Sequence, residues 1–149
     1  MTIHFNWYPF SKLTPQQLYA ALALRAEVFV VDQGCNYLDP DGKDFFALHL
    51  LGMENDKLVA YTRLFPPTDS ENYLVFGRVV TARSVRRKGV GKKLIQELLY
   101  YCDAHFPGVS VQCSAQYYLK AFYNSFGFEA DGEIYEDVGI PHIAMRRDK

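Results

Sequence analysis

Residues 77 to 102 constrain the chain most: Gly-Arg-Val-Val-Thr, then a basic segment with two glycines, then a run with helical periodicity. Val79, Val80 and Thr81 are β-branched neighbours that suit a strand. From Val90 onward, apolar residues at Leu94, Ile95, Leu98, Leu99 and Cys102 line one face of a predicted helix. Between the two lie Arg86, Arg87, Lys88, Gly89 and Gly91. A helix start leaves backbone N–H groups without partners, and its dipole favours negative charge, so this junction is a candidate anion site. A strand, a helix and a further strand require a right-handed crossover, so at least part of the sheet is parallel. The expected fold is a mixed, partly parallel α/β sheet flanked by helices.

Composition narrows the partners. At 149 residues the chain is the size of one domain, so residues 1–149 are read as a single unit. Apolar residues make up 49%, which suits a substantial core. Sixteen basic residues against seventeen acidic give a net charge of −1, so the basic cluster is a local feature with a local ligand and not the footprint of a nucleic-acid binder. No apolar run approaches the roughly 20 residues of a membrane helix, and Met1 to Trp7 lacks the pattern of a secretory leader. Cys35, Cys102 and Cys113 are odd in number and unpaired in spacing, which points to a reducing compartment, the cytoplasm by default. Four scattered histidines argue against a zinc site.

Along the chain, Ile3, Phe5 and Trp7 alternate as a first, edge-like strand. Thr14, Pro15 and Gln17 form a helix start with a capping box, after which Leu18, Ala21, Leu22, Arg25, Val28 and Phe29 repeat at helical spacing. Arg25 on that stripe either snorkels outward or faces a substrate. The turn from Asp39 to Asp44 lacks the glycine and glutamate placement of a calcium loop, and its carboxylates suggest attraction of a cationic amine. Phe46 to Met53 and Leu58 to Phe65 read as a hairpin across Glu54-Asn55-Asp56-Lys57. Val109 to Cys113 alternates as a strand, Ala115 to Ser125 reads as a helix capped by Gly127, and Phe128 to Tyr135 with Ile140 to Arg146 reads as a closing hairpin.

The glycine loop is not a Walker loop, because Arg86 and Lys93 stand where that pattern needs a glycine and a hydroxyl. Nor is it a dinucleotide fingerprint, since Leu94 replaces the third glycine. Arg86-Arg87-Lys88-Gly89-Val90-Gly91 after a Val-Val-Thr strand resembles the acetyl-coenzyme A loop of the GNAT superfamily of N-acyltransferases. Downstream, Phe122-Tyr123, three residues and Gly127-Phe128 look like that superfamily's second motif. Three further segments resemble the ElaA-like branch: Arg25 to Gln33, the Asp39 to Gly42 turn, and Gly139-Ile140-Pro141-His142. Gln116 stands where the superfamily usually has asparagine.

The resemblance implies an acetyl-coenzyme A-dependent N-acetyltransferase acting on a primary amine of a small molecule or peptide by direct attack, without a metal. Val79, Val80 and Thr81 would pair with the pantetheine arm. Arg86, Arg87, Lys88, Gly89, Val90, Gly91 and Lys92 would hold the pyrophosphate, and Gln116 would replace the asparagine contact. Tyr123 would return a proton to the leaving thiolate. Imidazoles ordinarily titrate near pH 6.5, so His49 and His142 are candidate general bases, with Glu27 and Asp44 as alternatives. A silent acyl-coenzyme A sensor and a polyanion-binding protein are the competing classes, and the many aromatics fill the core or coat a homodimer interface.

Overall fold

A computed structural model describes residues 2–148. The chain opens on β1 (His4–Pro9) and α1 (Pro15–Arg25), followed by a π-helical segment (Ala26–Asp32) and a loop. Next come β2 (Leu48–Glu54), β3 (Lys57–Phe65), β4 (Leu74–Thr81), α2 (Val90–His105) and β5 (Val111–Gln116). The short α3 (Lys120–Asn124), β6 (Glu129–Ala130), β7 (Tyr135–Asp137) and β8 (Ile140–Arg147) complete it. The strands form one sheet in the order β1-β2-β3-β4-β5-β8-β6, with β7 also on β8. Among the described residues the β4–β5 pair is parallel and the other strand pairs are antiparallel. The mixed sheet expected from the crossover is therefore present.

Opposite faces of this sheet carry α1 and α2. Trp7, Leu50 and Thr62 share a face by register, and Trp7 stacks on Tyr101 of α2 at 4.4 Å between ring centroids. Tyr61 points the other way, with the Arg25 guanidinium of α1 5.8 Å from its ring centre. The α2 stripe is buried as its periodicity requires: Val90, Leu94, Ile95, Leu98, Leu99 and Cys102 all enter the core.

Local signals set the start of α1. The Thr14 side chain accepts from Gln17 N–H at 3.1 Å, and the Gln17 side chain accepts from Thr14 N–H at 2.9 Å. Beyond Arg25 the bonding changes step, with Gln33 N–H on Val28 O and Cys35 N–H on Val30 O, both five residues back. The fading periodicity after Phe29 is thus a wider helix turn before a loop.

Two element boundaries differ from expectation. Ala115 and Gln116 belong to β5, where they pair with Ile143 and His142, so the helix predicted from Ala115 is only five residues long. Register with β8 outweighs helix-compatible letters. The strand predicted over Phe128 to Tyr135 is interrupted: β6 and β7 pair separately with β8, and the segment between them bends away. Gly127, at φ +91°, ends α3 as expected.

Replacing Thr14 by alanine removes the hydroxyl that accepts from Gln17 N–H and leaves only the backbone half of the capping box. It is expected to cost about 1 kcal/mol and to lower the melting temperature by about 2–4 °C, read by thermal denaturation.

Candidate active site

The sheet opens at its one parallel junction. The β4–β5 pairing consists of Leu74 with Val111 and Val75 with Gln112, and it stops there. Further along, β4 bulges: Tyr61 pairs with Val80 and Arg63 with Gly77, so Arg78 and Val79 together oppose Thr62. Thr62 Oγ1 donates to Gly77 O at 2.8 Å, bracing the start of the bulge. Arg78 takes φ +51°, a left-handed backbone uncommon outside glycine. Val80 and Thr81 remain paired with β3 on one side, while their other edge has no β5 partner. The result is a strand edge able to pair with an extended amide-bearing chain.

The glycine loop leads into the N-terminus of α2. Arg87 at φ +64° and Gly89 at φ +76° turn the chain into the helix. The first helical bond is Lys93 N–H to Gly89 O at 3.2 Å, and no side chain caps the end. The N–H groups of Val90, Gly91 and Lys92 are therefore available to an anion. A Cβ at Gly91 would meet no atom within 4 Å, so the space beside it is open. Arg86, Arg87, Lys88 and Lys92 are all exposed around it. Asp32, ending the π-helical segment, pairs with Arg83 and lies 3.4 Å from Arg86 Nη2.

Tyr123 is 4% exposed, enclosed by Phe76, Phe122 and Phe128 with ring centroids 5.1–6.0 Å away. Phe76, two residues before the bulge, packs against the Tyr123 ring at 6.0 Å. Burial, reinforced by Cys113 and Tyr118, holds that phenol well above its ordinary value, and it keeps its proton at neutral pH. Burial also pushes the Cys113 thiol up to about 12. Gln116 ends β5 and accepts from the Gln33 side chain at 3.3 Å, joining the π-helical segment to the sheet. Its register partner is His142. The His142 Nδ1–H donates to Ile140 O at 2.7 Å, which leaves Nε2 with a free lone pair.

His49 is placed differently from the sequence expectation of a general base. It is 1% exposed, its Nε2–H donates to Asp44 O at 2.9 Å, and its Nδ1 accepts from Tyr61 O–H at 2.7 Å. Both nitrogens are occupied, and burial lowers its pKa. Asp44 is no freer: burial opposes its charge, but hydrogen bonds from Arg25 at 2.8 Å and Arg63 at 2.8 Å win and hold it below the usual range. Glu27 is exposed and lines an open groove of about 570 Å³ with Lys57 and Arg83, and no β5 residue lines that groove.

The expected cation-attracting turn is also committed internally. Asp39 Oδ2 contacts Arg25 Nε at 2.7 Å, and Asp39 Oδ1 contacts Arg78 Nε at 2.9 Å. The Arg78 Nε contact is off the line of a hydrogen bond; Arg78 Nη2 instead donates to Asp39 O at 2.9 Å. Asp41 accepts from Arg63 through both oxygens, at 2.6 and 2.9 Å, and chiefly that contact holds it far below the usual carboxylate range. Three guanidiniums face three carboxylates, so the turn offers no surplus negative charge. The partners of Asp39, Asp41 and Asp44 are distant in sequence, so no local pattern of letters signals this network.

An acyltransferase architecture is recognisable in this parted strand pair, its bulge and the uncapped helix. Residues 42–149 match the family model of the acetyltransferase (GNAT) domain. ElaA of Escherichia coli strain K12 is 45% identical over 140 residues, covering 93% of this chain and 92% of that protein. The crystal structure of E. coli ElaA superposes with a TM-score of 0.92 over 99% of this chain and all of that one. That of an acyl-CoA N-acyltransferase from Pseudomonas aeruginosa gives 0.93 at 38% identity over 98% and 99%. The chain belongs to the GNAT acetyltransferase family. No helix among the described residues is long and apolar enough to cross a membrane.

These shifts fix a direction for acid sensitivity. His49, Asp41 and Asp44 all have lowered folded-state pKa values, so the unfolded chain binds more protons and stability falls as pH falls. The His49 contribution is present above its ordinary value of 6.5 and is lost below it; the aspartate contribution is lost below the ordinary 3.8. Melting temperature against pH should therefore drop in two stages on acidification, and His49→Gln should flatten the upper stage only. A wild-type profile as flat as that of His49→Gln above the aspartate range would contradict the buried neutral imidazole.

Proposed function

We propose that the protein transfers an acetyl group from acetyl-coenzyme A to a primary amine of a small molecule or peptide. The observation that carries this reading is the opening between β4 and β5, on a strand that leads through the glycine loop into an uncapped helix N-terminus and packs Phe76 against a buried, protonated tyrosine. The residues present fit the cosubstrate: unpartnered N–H groups at Val90, Gly91 and Lys92, open space at Gly91, and an unpaired edge along Val79, Val80 and Thr81. Acetyl-coenzyme A supplies an activated acyl carbonyl and a thiol leaving group.

The protein's own groups then divide the work. Arg86, Arg87, Lys88, Gly89 and the first turn of α2 bind phosphate oxygens through charge-assisted bonds. The β4 edge orients the pantetheine amides as a neighbouring strand would, and Gln116 with Gln33 closes the far wall. His142 Nε2 takes a proton from the incoming ammonium, and Tyr123 Oη holds the proton that a leaving thiolate needs. The odd number of cysteines and their unpaired spacing support a reducing compartment, and we assign the protein to the cytoplasm.

One observation favours a second reading, an acyl-coenzyme A-binding module without turnover. A phenol raised by burial keeps its proton but also yields it reluctantly. Thermal melting with acetyl-coenzyme A, coenzyme A and ATP at matched ionic strength tests the shared part. Both coenzyme A forms should raise the midpoint by several degrees at about a hundred times their dissociation constants, and ATP should not. An equal shift with ATP would reduce the loop to a general anion site.

Tyr123→Phe separates the two readings. It should leave the coenzyme A-induced melting shift intact while lowering amine-dependent thiol release by about 10² to 10⁴. An unchanged kcat in this variant would remove Tyr123 from the proton path.

A further inference from the structure

On the acyl-transfer reading above, we infer that Arg78 and Asp39 are positioning residues whose ion pair holds the β4 bulge in the conformation that aims its backbone at the acyl carbonyl. The bulge is where a backbone donor can meet developing oxyanion charge, because the strand edge there has left β5. Arg78 sits in it at φ +51°, a conformation glycine adopts freely and a side-chain-bearing residue adopts at a cost. A glycine is available one position earlier, at Gly77, and the left-handed turn does not use it.

What arginine brings in glycine's place is its contact with Asp39. Arg78 reaches both the carboxylate and the main-chain oxygen of that residue, each at 2.9 Å. Asp39 is itself 2% exposed and fixed from the other side by Arg25. Arg25 is bound to Asp44, and Asp44 to Arg63, the register partner of Gly77 on β3. The chain of ion pairs thus starts and ends on the two strands that frame the bulge. A bracing loop running from β4 through α1 back to β3 offsets the strain at Arg78 and fixes the direction of the neighbouring peptide groups. Because no charge in the network is left over to meet a substrate, its influence on the reaction is exerted through the bulge.

The experiment compares wild type, Arg78→Ala, Arg78→Gly and Asp39→Asn. Both Arg78 variants lose the ion pair, but only glycine takes the left-handed backbone without it. Coenzyme A affinity is measured by titration, and carbonyl polarisation by the 13C chemical shift of bound acetyl-coenzyme A labelled at the carbonyl carbon. Wild type and Arg78→Gly are expected to move the carbonyl resonance downfield equally. Arg78→Ala and Asp39→Asn should lose most of that shift and about a hundredfold in kcat with any accepted amine, with coenzyme A affinity unchanged. Adding Arg78→Gly to Asp39→Asn should restore the shift.

Equal resonances in wild type and Arg78→Ala, or an Arg78→Gly variant as defective as Arg78→Ala, would overturn the inference. Should Arg78→Ala not fold, Arg78→Asn replaces it in the comparison: asparagine tolerates positive φ without carrying charge, and is expected to match the glycine variant. Loss of the carbonyl shift in a folded Arg78→Asn that still binds coenzyme A would equally overturn it. Failure of the acyl-transfer reading gives a different result, since wild type would then bind no acetyl-coenzyme A, or bind it with no turnover on any amine.

Discussion

Three arginines and three aspartates, most of them withdrawn from water, determine how the rest of this molecule can be arranged. Arg25 comes from α1, Asp39, Asp41 and Asp44 from the following loop, Arg63 from β3 and Arg78 from β4. Desolvating these groups is expensive, and their mutual attraction does not by itself make the fold more stable than an apolar core would. Their effect is on specificity. Removing a fully buried member such as Arg25 strands Asp39 and Asp44 in a low-dielectric interior, whereas the part-exposed Arg78 can leave while Asp39 stays paired with Arg25. A loop with little regular structure is thereby held against the sheet, and His49 is recruited into the same cluster through the Asp44 carbonyl and the Tyr61 hydroxyl.

The cleft follows from this arrangement. Two register pairs join β4 to β5 before the bulge turns β4 away. Beyond that point, neither strand satisfies the other, and the gap leads toward the N-terminus of α2, whose first N–H groups have no intrahelical partner. The two walls are not independent. Asp32 connects the π-helical segment to Arg83 and Arg86 beside the glycine loop, and Gln33, the next residue, binds Gln116 at the end of β5. One short segment after α1 therefore contacts both the phosphate end and the acyl end of the proposed site. The wider π turn brings consecutive residues to those two destinations.

What can be read from the letters is what depends on nearby letters. The capping box of α1 involves residues three apart, and the buried stripe of α2 recurs within one helix, so both are legible in the sequence alone. The glycine loop and the Tyr123–Gly127 spacing are legible for the same reason. The charge network is not, because Asp44 finds Arg25 and Arg63 nineteen residues away in either direction, and Asp39 finds Arg78 thirty-nine residues on. Its carboxylates consequently look like a substrate trap. His49 invites the same misreading, since a strand histidine shows its type but not its partners. Ala115 and Gln116 carry letters compatible with either element, and pairing with β8 decides. No signal marks the bulge, because an arginine gives no local warning of positive φ.

The proton economy of the proposed reaction depends on the environment of Tyr123. A phenol raised above its ordinary value is a weaker acid, which by itself would oppose transfer to a thiolate. Burial does not act on the phenol alone. The Cys113 thiol, close enough to influence Tyr123 electrostatically, is pushed up to about 12 by that same desolvation. A thiolate leaving into such surroundings would likewise become more basic, which offsets part of the phenol's shift. The apolar ring contacts of Phe76, Phe122 and Phe128 then have a chemical consequence besides packing. They keep the proton on Tyr123 until the appearance of a negative sulfur gives it somewhere to go.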